Sequence, residues 1–255
     1  MEEKTRVGPT SYLTVTKSAT YGFLAALPLF VLYEGLILFA NGDRISQIRV
    51  GADIWVKQIL AMVGATGMIS LGVAVLVIGI SVFVVERKKK IPIKPTYLGW
   101  MIGESALYAV VLAFLISSIV GLIFSSALSI YVPAIIQDSS VGQPGKMMML
   151  VLSIGAGLYE ELIFRVIMVG GIFWVLNKWL EKRNLAYVIA AVIGAFIFSA
   201  VHYVGPLGDA FALSSFTFRF LFGLALNVIF LVRGFGVAAW THALYDVLVV
   251  SQLLG

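Results

Sequence analysis

Three short segments of this 255-residue chain combine residue types that can move protons. Tyr159 to Arg165 reads YEELIFR, FSAVH ends at His202, and HALYD runs from His242 to Asp246. Residues four apart share a helix face, so Glu161 and Arg165 form an internal ion pair; Glu160, about 100° further round, is left without that partner. A free carboxylate beside a neutralised one suits activation of a water molecule. The same residues would serve equally well as a structural network holding helices together. Phe198 with His202, and His242 with Asp246, are also four apart and share faces. An imidazole in such a place can act as a base, donate to an oxyanion or bind a metal, although a lone histidine in an apolar helix is more often a hydrogen-bonding contact. The chain has only these 2 histidines, and both stand near acids.

The elements that must position these groups are transmembrane helices. The chain is 60% hydrophobic and 12% charged, with a mean hydropathy of +1.01, whereas a soluble domain carries about a quarter charged residues. A spanning helix needs about 20 mostly apolar residues. The predicted spans are residues 19–41, a second ending at Val85, a third within 105–137 or starting early enough to include Glu104, a fourth at about 147–170 or a little beyond, then 185–204, 215–232 and 235–254. Residues 45–62 read either as a helix lying in the interface or as a lead into the second span. The expected fold is thus an all-α polytopic transmembrane bundle with a polar intramembrane cavity. It has seven spans, or eight with a re-entrant or short extra helix. Residues 1–255 form a single membrane domain with a catalytic-type core at 147–254, and no internal repeat is visible.

Lys and Arg test the topology. With the N-terminus inside, 12 fall in inner segments and 5 in outer ones (Arg44, Arg49, Lys57, Lys146 and Arg219), with Arg165 within a span. That bias favours a multi-pass protein with a cytoplasmic N-terminus. The pI near 9.4 then reflects loops beside anionic lipid rather than nucleic-acid binding. The absence of cysteine removes disulfides, thiolate nucleophiles and Cys-ligated metals from consideration. Glu34 and Glu104 read as helix contacts or groups reaching for an interface. Gly155, Ala156 and Gly157 would let a neighbouring helix approach closely.

Known intramembrane chemistries narrow the choice. No His-Glu-x-x-His or Gly-x-Ser-x-Gly is present. Tyr245-Asp246 and Gly208-Asp209 stand in the reverse of the order used by presenilin-like aspartyl proteases, with Pro206 where the first glycine belongs. In contrast, Glu160, Glu161 and Arg165, then Phe198 and His202, then His242 and Asp246 resemble, in order, the Glu-Glu-x-x-x-Arg, Phe-x-x-x-His and His-x-x-x-Asn/Asp motifs of the CAAX protease and bacteriocin-processing family of intramembrane peptidases. The resemblance covers about residues 155–250.

The resemblance implies that Glu160 activates water with help from His202, while His242 and residue 246 stabilise the oxyanion and Glu161, Arg165 and Phe198 support them. The implied partners are membrane lipid and a peptide or protein substrate, prenylated if the activity is CAAX-type. Asp246 departs from the Asn of prenyl proteases, because an ionised Asp only accepts hydrogen bonds. It would act by orienting His242, by being protonated, or as a metal ligand; Glu160, His202, His242 and Asp246 make a chemically reasonable set for a divalent ion such as zinc, which leaves the cofactor and metal open. A non-catalytic immunity or scaffold protein and a proton-coupled transporter are the rival readings. One difficulty stands out: at about 1.5 Å per residue, the predicted boundaries separate the two histidines by more than about 10 Å along the membrane normal.

Overall fold

The computed structural model describes residues 11–41, 48–64, 66–124, 145–205 and 208–252, and every regular element among them is helical. In chain order these are α1 (Tyr12–Val15), α2 (Ala19–Asn41), α3 (Gly51–Met62), α4 (Gly67–Glu86), α5 (Pro95–Ile123), α6 (Lys146–Glu161), α7 (Gly170–Trp179), α8 (Arg183–Val201), α9 (Leu213–Arg233) and α10 (Phe235–Ser251). Five stretches are long and apolar enough to cross a membrane: Ala19–Phe39, Pro95–Ile123, Lys146–Trp179, Arg183–Val201 and Leu213–Arg233. Helix α10 has 17 residues and is apolar but shorter, about 26 Å long against a hydrocarbon core of about 30 Å. Exposed Val73, Leu76, Phe114, Leu122, Val188 and Phe196 give these helices an apolar exterior suited to lipid. The chain is an integral membrane protein.

The predicted boundaries differ from the observed ones in instructive places. The fourth span, expected to end near residue 170 or a little beyond, is a rod of 34 residues, Lys146–Trp179, in which α6 and α7 are joined by a π-helical segment, Leu162–Val169. Nothing between Val169 and Trp179 removes a backbone donor, so Gly170 and Gly171 alone do not end the helix. Helix α3 is separate from α4, because Gly64 turns the chain at φ +82°, a conformation that favours glycine. The expected segment 45–62 is therefore a helix of its own from Gly51, and residues 45–47 lie outside the described residues. So do the part of the third predicted span beyond residue 124 and the last residues of the seventh.

Helix α10 lies at the centre of the bundle, packed on α6, α5, α2 and α9. Small residues permit this: a Cβ on Gly157 would fall 2.5 Å from the Ala243 nitrogen and 2.6 Å from the Ala239 carbonyl oxygen. Gly155 similarly receives the Tyr33 ring. The small-residue run before the paired glutamates thus sets how closely α6 approaches α10. At the α9–α10 turn, Arg233 pairs with Glu104 at 2.5 Å, and the hydroxyls of Tyr12 and Tyr108 donate to the same carboxylate at 2.6 and 2.8 Å. Glu104 is accordingly a contact joining α1, α5 and α9.

Candidate active site

Glu161 ends α6 and is fully buried; Arg165 is 1% exposed in the π segment that begins at the next residue. Its wider i→i+5 turn is a local irregularity of a kind frequent at functional sites. Glu161 Oε2 lies 3.0 Å from Arg165 Nε, close enough for a charge contact but out of line for a hydrogen bond, and both terminal nitrogens of Arg165 lack a hydrogen-bond partner among the described residues. The guanidinium instead lies over the Phe198 ring, 4.5 Å from its centroid. A cation–π contact of this kind is strongest when desolvated.

The other Glu161 oxygen, Oε1, is 2.8 Å from His242 Nδ1. An ionised carboxylate only accepts, so with Glu161 paired to Arg165 the imidazole donates from Nδ1. That fixes the ring and turns Nε2 toward Glu160, 3.9 Å away, and Asp246, 3.5 Å away. Glu160 and Asp246 keep 17% and 18% of their side chains exposed, against 4% for His242. The two carboxylates that lack a guanidinium partner are therefore the ones that surroundings can reach. The sequence expectation that Glu161, not Glu160, pairs with Arg165 agrees with this arrangement.

His202 stands just beyond the end of α8. Its Nδ1 is 2.7 Å from the Phe198 carbonyl oxygen, an acceptor, so Nδ1 is the donor and Nε2 is left able to take a proton. Phe198 also links the two histidines. Its ring centroid lies 5.1 Å from that of His202 and 5.9 Å from that of His242, so the imidazoles are at most about 11 Å apart. Edge-to-face contacts with one aromatic ring bring together two residues that separate spans would hold at different levels. Phe164 at 5.2 Å also packs on Phe198, and Phe222 at 5.4 Å packs on His242.

The four-ligand metal arrangement is not formed. Among the described residues no group of three or more His, Asp or Glu side chains is placed to hold a metal ion. His242 Nδ1 is bonded to Glu161 and His202 Nδ1 to a backbone carbonyl, which leaves Nε2 as the available nitrogen of each ring.

Two groups of residues near the site escaped the sequence reading. The first surrounds Glu34. Tyr159, next to Glu160, donates from its hydroxyl to Glu34 Oε1 at 2.8 Å; Arg49 and Lys57 pair with Glu34 at 3.2 and 3.0 Å and with Asp53 at 2.8 and 2.7 Å; Tyr33 donates to Asp53 at 3.0 Å. Burial opposes the Arg49 charge, but the Asp53 and Glu34 carboxylates hold its proton more firmly than usual. Glu34 is thus a helix contact that anchors α3 to α2 and α6.

The second is Arg219, counted above with the outer segments but buried inside α9 and paired with Asp209 at 2.5 Å. It is the one charged residue in 213–232. The test that singled out Arg165 therefore applied to it as well.

A helical membrane bundle whose central helix presents a carboxylate-fixed histidine to two further carboxylates defines the class of the site. Residues 143–248 match the family described as Type II CAAX prenyl endopeptidase Rce1-like, a family of proteases. No curated protein and no solved structure matches the chain.

Proposed function

We propose that this protein is an intramembrane endopeptidase in which Glu160 activates the attacking water. The observation that carries the reading is the fixed orientation of His242, held through Nδ1 by Glu161 with Nε2 turned toward Glu160 and Asp246. Glu160 takes a proton as the water oxygen bonds to the scissile carbonyl carbon, and the carbonyl oxygen becomes an oxyanion. As the tetrahedral species collapses, the C–N bond breaks and the proton passes to the leaving amine, giving an acid and an amine from peptide and water. His202, with Nε2 unprotonated, assists Glu160. His242 in its imidazolium form donates from Nε2 to the oxyanion. Asp246, 3.5 Å from the same Nε2, orients His242 before substrate enters and then yields that N–H to the oxyanion.

The substrate is a peptide or protein at the membrane, with CAAX-type processing of prenylated chains as the specific form. In this reading α4, with 20 residues, and α10 join the five long apolar stretches as spans, giving seven with the N-terminus cytoplasmic. The test is cleavage of matched prenylated and unprenylated peptides by the purified protein in lipid vesicles. Glu160→Gln and His202→Ala each abolish turnover while the helical circular dichroism signal is unchanged; full activity in Glu160→Gln overturns the mechanism.

A further inference from the structure

Arg219 is a guanidinium beside the proposed site with no role in the water-activation chemistry. It sits on α9 three residues before Phe222, so the two share a helix face, and Phe222 packs on His242 at 5.4 Å and on Tyr245 at 4.4 Å. Arg219 is held from the other side as well. Nη2 donates to Asp209 Oδ2 at 2.5 Å, Nη1 donates to Ser215 Oγ at 3.1 Å, and the Asp209 N–H donates to the His202 carbonyl oxygen at 2.8 Å. The guanidinium is therefore tied to the backbone of His202 through one residue.

The Tyr203 ring lies under the guanidinium at 5.2 Å, with a buried hydroxyl that has no hydrogen-bond partner among the described residues. Asp209 keeps 37% of its side chain exposed, against 10% for Arg219. The fork is thus fixed at an edge that incoming groups reach. A guanidinium carries five N–H donors, so two acceptors do not exhaust it.

The three acids Glu160, Glu161 and Asp246 would repel an anionic substrate group, and the Arg165 charge is taken up by Glu161. We infer that Arg219 is a specificity-determining residue that binds a carboxylate of the peptide substrate, placing the scissile bond between that carboxylate and Glu160. This inference rests on the peptidase reading above. A peptide carboxylate has two sources, the C-terminus and an acidic side chain, and Arg is the side chain whose planar fork matches either.

The test uses the reconstituted protein with three otherwise identical peptides: a free C-terminal acid, its amide, and the amide with an aspartate near the C-terminus. Wild-type kcat/KM is about tenfold or more higher for a carboxylate-bearing peptide than for the plain amide, the size expected of a charge-assisted hydrogen bond. Whichever carboxylate restores the rate identifies the source. In Arg219→Gln the ratio falls to about one; in Arg219→Lys, which keeps the charge without the fork, it falls part way. Equal rates for acid, aspartate and amide peptides in the wild type, or an undiminished ratio in Arg219→Gln, overturn the inference. If no peptide is cut, the peptidase reading fails, and direct binding of the same peptides then judges Arg219 alone: about tenfold tighter binding of a carboxylate-bearing peptide, lost in Arg219→Gln, supports it, and equal binding overturns it.

Discussion

His242 Nδ1 and Glu161 Oε1 lie 2.8 Å apart, and this one contact joins the central helix α10 to the end of α6 at the point where the α-helix gives way to the π segment. Because Glu161 also faces Arg165 across 3.0 Å, the carboxylate serves both an imidazole and a guanidinium inside the bundle. Replacing it with alanine would leave a buried guanidinium without its counter-charge, at a cost of about 3 kcal/mol or more. Glu161→Ala is expected to lower the thermal unfolding midpoint in detergent and to abolish turnover, whereas Glu161→Gln keeps an acceptor for His242 and loses less stability. Equal midpoints for wild type and Glu161→Ala would show that the pair is not maintained.

Gly157 sets the spacing that makes this contact possible. A methyl group there meets the α10 backbone at 2.5 to 2.6 Å, closer than atoms can pack. Gly157→Val is expected to push α6 from α10, destabilise the fold by about 2 kcal/mol and remove activity. Gly171→Ala, at a position where an added Cβ meets nothing within 4 Å, is the control and should unfold at or slightly above the wild-type temperature.

Phe198 touches both imidazoles and the Arg165 guanidinium, so its removal should affect more than packing. Phe198→Ala costs about 3 kcal/mol or more from the cavity alone. Phe198→Leu, closer in volume, should retain most stability yet lose turnover by about tenfold or more, the scale seen when residues supporting a site are altered. Steady-state kinetics beside thermal unfolding separate the two effects, and a Phe198→Leu protein with wild-type kcat would contradict the bridging role.

Tyr159 carries the influence of the first half of the chain into the site. Its hydroxyl donates to Glu34 at 2.8 Å, one residue before Glu160. Tyr159→Phe removes this hydrogen bond, worth about 1 to 3 kcal/mol when the acceptor is charged. The expected result is a modest loss of stability with a fall in kcat larger than any change in KM. A change in KM alone would place Tyr159 in substrate binding instead.

Asp246→Asn separates the two roles open to that residue. An asparagine can still accept a hydrogen bond from His242 and can also donate, so turnover is expected to stay within about tenfold of wild type, while Asp246→Ala loses about tenfold to a hundredfold as orienting partners do. Equal activity in wild type and Asp246→Ala would remove Asp246 from the site.

The linear sequence by itself determined that the chain lives in a bilayer. It also selected Glu161 rather than Glu160 as the partner of Arg165, because these are consequences of composition and of a four-residue helical repeat. Both operate within one segment. It also marked Gly155 to Gly157 as a place of close approach, but not which helix approaches.

Only the tertiary structure decided that His242 bonds Glu161, that Phe198 spans two imidazoles, that Glu34 is held by Arg49 just before α3 and Lys57 on α3, and that Arg219 leans on Asp209 beside His202. Each of these joins residues on different helices or across a turn. Their relative height and rotation follow from helix tilt, from small-residue packing and from a π segment, none of which leaves a periodic signal in the chain. The meeting of the two histidines at Phe198 was hidden for that reason: counting residues gives rise along one axis, whereas side-chain length and helix packing decide which atoms meet.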